Sequence, residues 1–185
     1  MRLTELAHQK LAALIRAGDK VVDASAGNGH DTLFLAEKVT ASGKVYAFDI
    51  QAQAISATSA LLRSKNIDWV ELIHADHADL AKLIPQSCHL RAAVFNLGYL
   101  PRADKSVTTR ASSTLAALKA SLALLAHPAM ISIMVYRAHP GGEDEYREIS
   151  AWAESLACDR FAIKSYSVPN TRNPAPVLVT IHTLN

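Results

Sequence analysis

Leu3, Leu6, Ala7, Leu11, Leu14 and Ile15 recur at three- and four-residue spacing, so the chain opens on an amphipathic helix over residues 4–16 that stops near Gly18. The period then changes. The short apolar runs "KVVDA", "KVYAFDI", "WVELIHA", "AAVFNLGYL" and "MISIMVY" read as buried strands. Helical stretches are predicted over 30–39, 51–65, 112–126 and 143–157. The last two strands, "FAIKSYSV" and "PVLVTIHT", are joined by "PNTRNPA", which is too short for a crossover helix, so they should pair antiparallel. The pattern is βα repeated five times and then a closing β-hairpin.

That alternation implies an α/β fold in one domain, 1–185, with a seven-stranded, mostly parallel sheet covered on both faces. Ligands of such sheets bind beyond the carboxyl ends of the strands, near the point where the strand order reverses. Here those ends are 23–29, 49–51, 74–77, 96–99 and 136–142, which are also the chemically unusual segments.

Composition narrows the choice. Half the residues are hydrophobic and 19% are charged, an ordinary globular balance, and a net charge of +2 excludes a strongly cationic nucleic-acid binder while allowing a local basic patch. Cys88 and Cys158 read as free thiols in a reducing compartment, and with no CxxC or Cys/His cluster no metal is expected. Glu5, His8 and Lys10 interrupt any apolar leader, and Lys119, His127 and Pro128 spoil the most apolar window as a membrane span. A soluble, cytoplasmic protein is expected.

The stretch "VVDASAGNGHDTLFLAEKV" carries the first chemistry. Gly27-Asn28-Gly29 tolerates positive φ and lets a ligand approach the backbone. Asp49 ends the second strand, where a carboxylate accepts the hydroxyl hydrogens of a ribose. A dinucleotide fingerprint wants a third glycine at the position of Thr32, and no P-loop is present. Asp23 and Asp31 flank the turn and are poorly placed for phosphates; they suit a ligand carrying positive charge, such as S-adenosylmethionine. Asp76-His77 follows the third strand, where a polar pair can reach an adenine edge.

After the fourth strand, Asn96, Gly98 and Tyr99 form N-x-G-Y, similar to the N/D-P-P-Y loop of methyltransferases that modify amino nitrogens. An amide oxygen and backbone carbonyls can accept the hydrogens of a nitrogen nucleophile while an aromatic ring packs the acceptor group. A saturated amine, with a pKa of about 10.4, must lose a proton before it attacks. His139 and Asp31 are both candidate bases, and His8 on the first helix reads as structural or solvent-facing. Arg102, Lys105, Arg110, Arg137 and Arg172, interspersed with Ser106, Thr108 and Thr109, offer contacts to phosphates.

"DASAGNGHDT", "YAFDIQ", "FNLGYLP", "DKSVTT" and "HPGG" closely resemble, in order and spacing, the class I methyltransferase family described as rRNA methylases, over essentially the whole chain. The resemblance implies a Rossmann-like class I fold and S-adenosylmethionine as cofactor. It also implies action on the tRNA wobble uridine, converting 5-aminomethyl-2-thiouridine to its methylaminomethyl form. By that resemblance Gly27, Asn28 and Gly29 line the methionine moiety, Asp49 and Gln51 hold the ribose, and Asp76 and His77 face the adenine. Asn96 sits at the reacting end, with Tyr99 and His139 near the target base. The chain departs from the family pattern at Arg102-Ala103, Arg137-Ala138 and Pro174-Ala175-Pro176, all on the expected RNA side. Competing readings are an rRNA or small-molecule amine acceptor, a nicotinamide-dependent oxidoreductase, and a non-catalytic RNA-binding module. A homodimer would help a chain of this size grip the tRNA anticodon region.

Overall fold

The computed structural model describes residues 2–98, 109–138, 140–168 and 174–184. The opening helix is α1 (Leu3–Leu14). The strands are β1 (Lys20–Asp23), β2 (Lys44–Asp49), β3 (Val70–His74), β4 (Leu90–Leu97), β5 (Leu125–Val135), β6 (Phe161–Ser167) and β7 (Val177–Thr183). Between them run α2 (His30–Val39), α3 (Ala52–Ser64), α4 (Leu80–Leu83), α5 (Ala111–Ala123) and α6 (Gly142–Glu154). All seven strands join one sheet in the order β3-β2-β1-β4-β5-β7-β6. β1 to β5 are parallel, and β7 runs antiparallel to both β5 and β6, as the short connection required.

Two elements differ from the sequence expectation. The third crossover contains a 3-10 turn over His77–Asp79 followed by the single-turn helix α4. The Asp76 carboxylate starts that turn by accepting the Ala78 N–H at 2.9 Å, a local cap that leaves no hydrophobic period to read. The fifth strand begins at Leu125 instead of Met130, and α5 stops at Ala123. Pairing decides this, because Leu125 lies opposite Leu90 and the Leu90 N–H donates to the Leu124 carbonyl at 2.8 Å. A strand already present next door satisfies those backbone groups better than another helical turn would.

Each sheet face buries its own set of side chains, following the period of two. Val21, Val45, Ala47, Ala92 and Val94 face Leu11 and Ile15 of α1 and Leu35 and Val39 of α2. Val22, Phe48, Phe95 and Ile133 face Leu80 and Ile84 around α4, Leu118 of α5 and Ile149 of α6. Helix α1 therefore lies across the sheet on the same side as α2, over β5 and β7.

β1 and α2 are joined by a buried polar contact. Asp23 is fully buried, accepts the Thr32 hydroxyl at 2.6 Å and accepts the Ser25 N–H at 3.1 Å. Thr32 stands where a dinucleotide fold would place its third glycine, and its hydroxyl goes to this carboxylate. Burial raises the Asp23 pKa to about 7; nearby Asp31 adds to the rise, while the Thr32 and Ser25 hydrogen bonds oppose it.

Two outcomes are expected. Asp23 binds its proton more tightly folded than unfolded, so its stabilising contribution is complete below about pH 4 and is lost as pH rises through about 7. Asp23→Asn should abolish the fall in stability between about pH 4 and 8, leaving a flatter pH profile than wild type as read from urea denaturation across that range. A side chain at Gly43 would meet the Asp19 carbonyl oxygen at 2.4 Å and the Val39 side chain at 2.6 Å. Gly43→Ala should therefore cost about 1–3 kcal/mol by the same measurement.

Candidate active site

The winding of the sheet reverses between β1 and β4, and the crevice at their carboxyl ends is where the sequence placed its motifs. The glycine turn is pinned from several sides. The Ala26 N–H donates to the Phe48 carbonyl at 2.8 Å, and the Gly27 N–H donates to Asp49 Oδ2 at 2.9 Å. The Thr58 hydroxyl of α3 reaches the Gly27 carbonyl at 3.2 Å. Gly27 and Gly29 both have positive φ, 55° and 83°. A Cβ on Gly29 would come within 3.0 Å of the Thr58 backbone. That glycine is thus required by helix packing as well as by backbone conformation, while Asn28 is exposed at the turn's tip.

Asp49 does double duty. Its Oδ2 holds Gly27 and its Oδ1 accepts the Gln51 N–H at 2.9 Å, so one carboxylate ties the first βα turn to the second. Each carboxylate oxygen can accept a further hydrogen bond from a ligand hydroxyl. Asp76 is exposed at the end of β3, and His77 beside it is buried. His77 Nδ1 lies 3.0 Å from the Ala24 carbonyl, which can only accept, so Nδ1 carries a hydrogen and Nε2 of the neutral ring is an acceptor. Nε2 is buried with no partner among the described residues; Asp76 at 3.9 Å is beyond hydrogen-bond reach. An orphaned acceptor of this kind costs about 1–3 kcal/mol until a donor arrives, which fits a ligand amino group.

Across the crevice stands Asn96, at the end of β4. Its backbone N–H donates to the Ser25 hydroxyl at 2.7 Å, and its side-chain Nδ2 donates to Asp31 Oδ2 at 2.7 Å. With Nδ2 committed to Asp31, the Asn96 amide oxygen is left as an acceptor. The other oxygen of Asp31 lies 2.5 Å from His8 Nε2, and the His8 ring stacks parallel on Phe34 at 3.9 Å. Burial alone would raise the Asp31 pKa, but the hydrogen bonds from His8 and Asn96 outweigh it and hold the carboxyl below its ordinary value. Asp31 is an anion at neutral pH, well suited to attract an ammonium and poorly suited to keep its proton.

His8 is the site residue that sequence reasoning missed, since helical periodicity assigns it only to a face of α1. Tyr136, 41% exposed just past β5, is also at this edge, its backbone N–H on the Leu97 carbonyl at 3.0 Å. The basic residues are less uniform than expected. Arg110 is exposed at the start of α5. Arg137 donates to the Ala175 carbonyl at 2.9 Å and to Glu143 at 3.3 Å and lies over the Tyr146 ring, so its charge is engaged within the chain. Tyr99, Arg102, Lys105, His139 and Arg172 lie outside the described residues. Glu145, buried on α6, accepts the hydroxyls of Thr109 at 2.7 Å and Thr114 at 2.8 Å and fixes the start of α5 against α6.

The donor set therefore fits S-adenosylmethionine: a carboxylate at the end of β2, a bare acceptor at the end of β3, and an anion beside the glycine turn. Comparison with known proteins agrees. The family described as "Putative rRNA methylase" matches residues 45–182. The chloroplastic tRNA (mnm(5)s(2)U34)-methyltransferase of Arabidopsis thaliana is 38% identical over 187 residues, covering 96% of this chain and 68% of that protein. A crystal structure from Clostridium thermocellum, described as a "putative rRNA-methylase", superposes with a TM-score of 0.94 at 35% identity, covering 98% of this chain and 97% of that one. A Streptococcus mutans "putative methyltransferase", solved in complex with SAH, gives a TM-score of 0.91 at 37% identity over 100% of this chain and 99% of that one. A sheet wound in this order and likeness along nearly the whole chain converge: the chain belongs to this methylase family and is an S-adenosylmethionine-dependent methyltransferase.

Proposed function

We propose that the enzyme methylates RNA, and that its acceptor is the aminomethyl nitrogen of 5-aminomethyl-2-thiouridine at the tRNA wobble position. The observation that carries the amine reading is the Asp31–Asn96 pair: an anion and a free amide oxygen side by side at the switch point. The 38%-identical Arabidopsis relative, a tRNA methyltransferase by name, supports the substrate. An rRNA acceptor is the second reading, favoured by the family's description.

In this reading Gly27, Asn28 and Gly29 flank the methionine moiety, Asp49 and Gln51 hold the ribose, and His77 Nε2 accepts a hydrogen from the adenine amino group. When bound, S-adenosylmethionine supplies a methyl group made electrophilic by its sulfonium. The chain's own task is to present the nitrogen. Asp31 draws the ammonium into the crevice, and Asn96 Oδ1 accepts an N–H so that the lone pair, once a proton has left, points at the methyl carbon. Tyr99 and His139 border the target base, His139 standing as the candidate proton acceptor. Arg102, Lys105, Arg110 and Arg137 track phosphates of the anticodon region. Free Cys88 and Cys158 suit a reducing compartment such as the cytoplasm.

The test is transfer of labelled methyl groups to tRNA carrying the free aminomethyl group and, in parallel, to unmodified rRNA, with nucleosides identified by mass spectrometry. Methylaminomethyl-2-thiouridine is expected from the tRNA alone; label only in rRNA would overturn the substrate and keep the reaction class. Asp49→Ala should weaken S-adenosylmethionine binding by about 1.5–3 kcal/mol for each charge-assisted hydrogen bond removed, as measured by calorimetric titration. Asn96→Ala should instead lower kcat with cofactor affinity largely kept. Wild-type turnover in that variant would refute its placement at the reacting end.

A further inference from the structure

Helix α1 stands outside the βα alternation, yet it delivers a side chain to the crevice. His8 reaches Asp31 at 2.5 Å, and the facing Phe34 ring of α2, parallel to the imidazole at 3.9 Å, restricts how that ring can turn. The second oxygen of Asp31 is taken by Asn96 at 2.7 Å. Thr4, His8, Asp31, Asn96 and Ser132 are among the residues that line a cavity of about 10 Å³, room for one water at most. Two donors on two oxygens fix both the position and the plane of a carboxylate. We infer that His8 is a positioning residue of the methyl transfer: its Nε2–H holds Asp31 so that the remaining lone pairs face the acceptor nitrogen beside Asn96 Oδ1.

This rests on the reading that Asp31 and Asn96 receive an amine, and it makes α1 part of the active site. The role differs from that of a base. His8 touches neither substrate nor cofactor and acts through Asp31. Its contribution is geometric, and losing it should slow the chemical step while leaving cofactor affinity alone.

The experiment compares wild type, His8→Ala and His8→Gln, the glutamine amide nitrogen reaching where Nε2 lies and donating the same hydrogen bond. For His8→Ala, kcat on aminomethyl tRNA should fall about 10- to 100-fold with S-adenosylmethionine affinity held within about twofold. His8→Gln should recover most of that loss. A second readout needs no acceptor: the Asp31 carboxyl titration followed by carbon NMR. The midpoint should rise in His8→Ala and return in His8→Gln, because one hydrogen bond that opposes burial is lost in the first and restored in the second. The other charged or titratable groups facing Asp31 are His30 of α2, Asp23 of β1 and Tyr136 beyond β5, and all are unchanged across the three proteins. Wild-type kcat in His8→Ala, a His8→Gln as slow as the alanine variant, or an Asp31 midpoint indifferent to both would overturn the assignment. Failure of wild type to methylate the tRNA would refute the substrate instead, and the titration would still decide whether His8 governs Asp31.

Discussion

The hydrogen bonds that bridge β1 and β4 hold this site together. The sheet reverses its winding there, so the crossovers on either side diverge and leave a crevice at the carboxyl ends of β1 and β4. The chain closes the base of the gap with its own polar groups: the Ala24 N–H on the Val94 carbonyl at 2.8 Å, the Asn96 N–H on the Ser25 hydroxyl, and the Asn96 side chain on Asp31. Remove this bridge and the glycine turn and the reacting end would belong to two independent loops. With it they form one rigid wall against which a cofactor and a nucleophile can be aligned.

Three carboxylates serve that wall in three physical states. Asp49 satisfies backbone N–H groups of two different turns while retaining lone pairs for a ligand. Asp31 is kept ionised by two donors, His8 and Asn96. Asp23, fully buried and partnered among the described residues by the Thr32 hydroxyl and the Ser25 amide, has its pKa lifted to about 7 and acts as a structural pin. They sit close together near the first βα turn, and the difference lies in burial and in the number of donors each meets. Placing three full negative charges there would be costly, and the neutralisable Asp23 relieves part of that cost.

Much of this was legible beforehand. The periods of 3.6 and 2 located the opening helix, seven strands and the closing hairpin, because each buried face had to be written into the residue order. The same periodicity missed the turn at His77–Asp79, whose stability comes from a side-chain cap, and misplaced the start of β5, whose backbone is claimed by β4. Gly27 and Asp49 are joined by a hydrogen bond, as are Asn96 and Asp31, and both pairs lie beyond strand carboxyl ends where the motifs were read. Arg137 donates to the Ala175 carbonyl and to Glu143, contacts that no motif in the sequence announces.

Sequence by itself determined the layer architecture, the strand ends that carry chemistry and the chemical types gathered there, since all three are local properties of residue order and strand polarity. Tertiary structure alone decided which groups meet. His8 and Asp31 come together because α1 packs on the same sheet face as α2, and β7 inserts between β5 and β6 because only there can both of its edges be paired. The state of each carboxylate likewise depends on donors distant in sequence, and neither periodicity nor motif spacing encodes how many of them arrive.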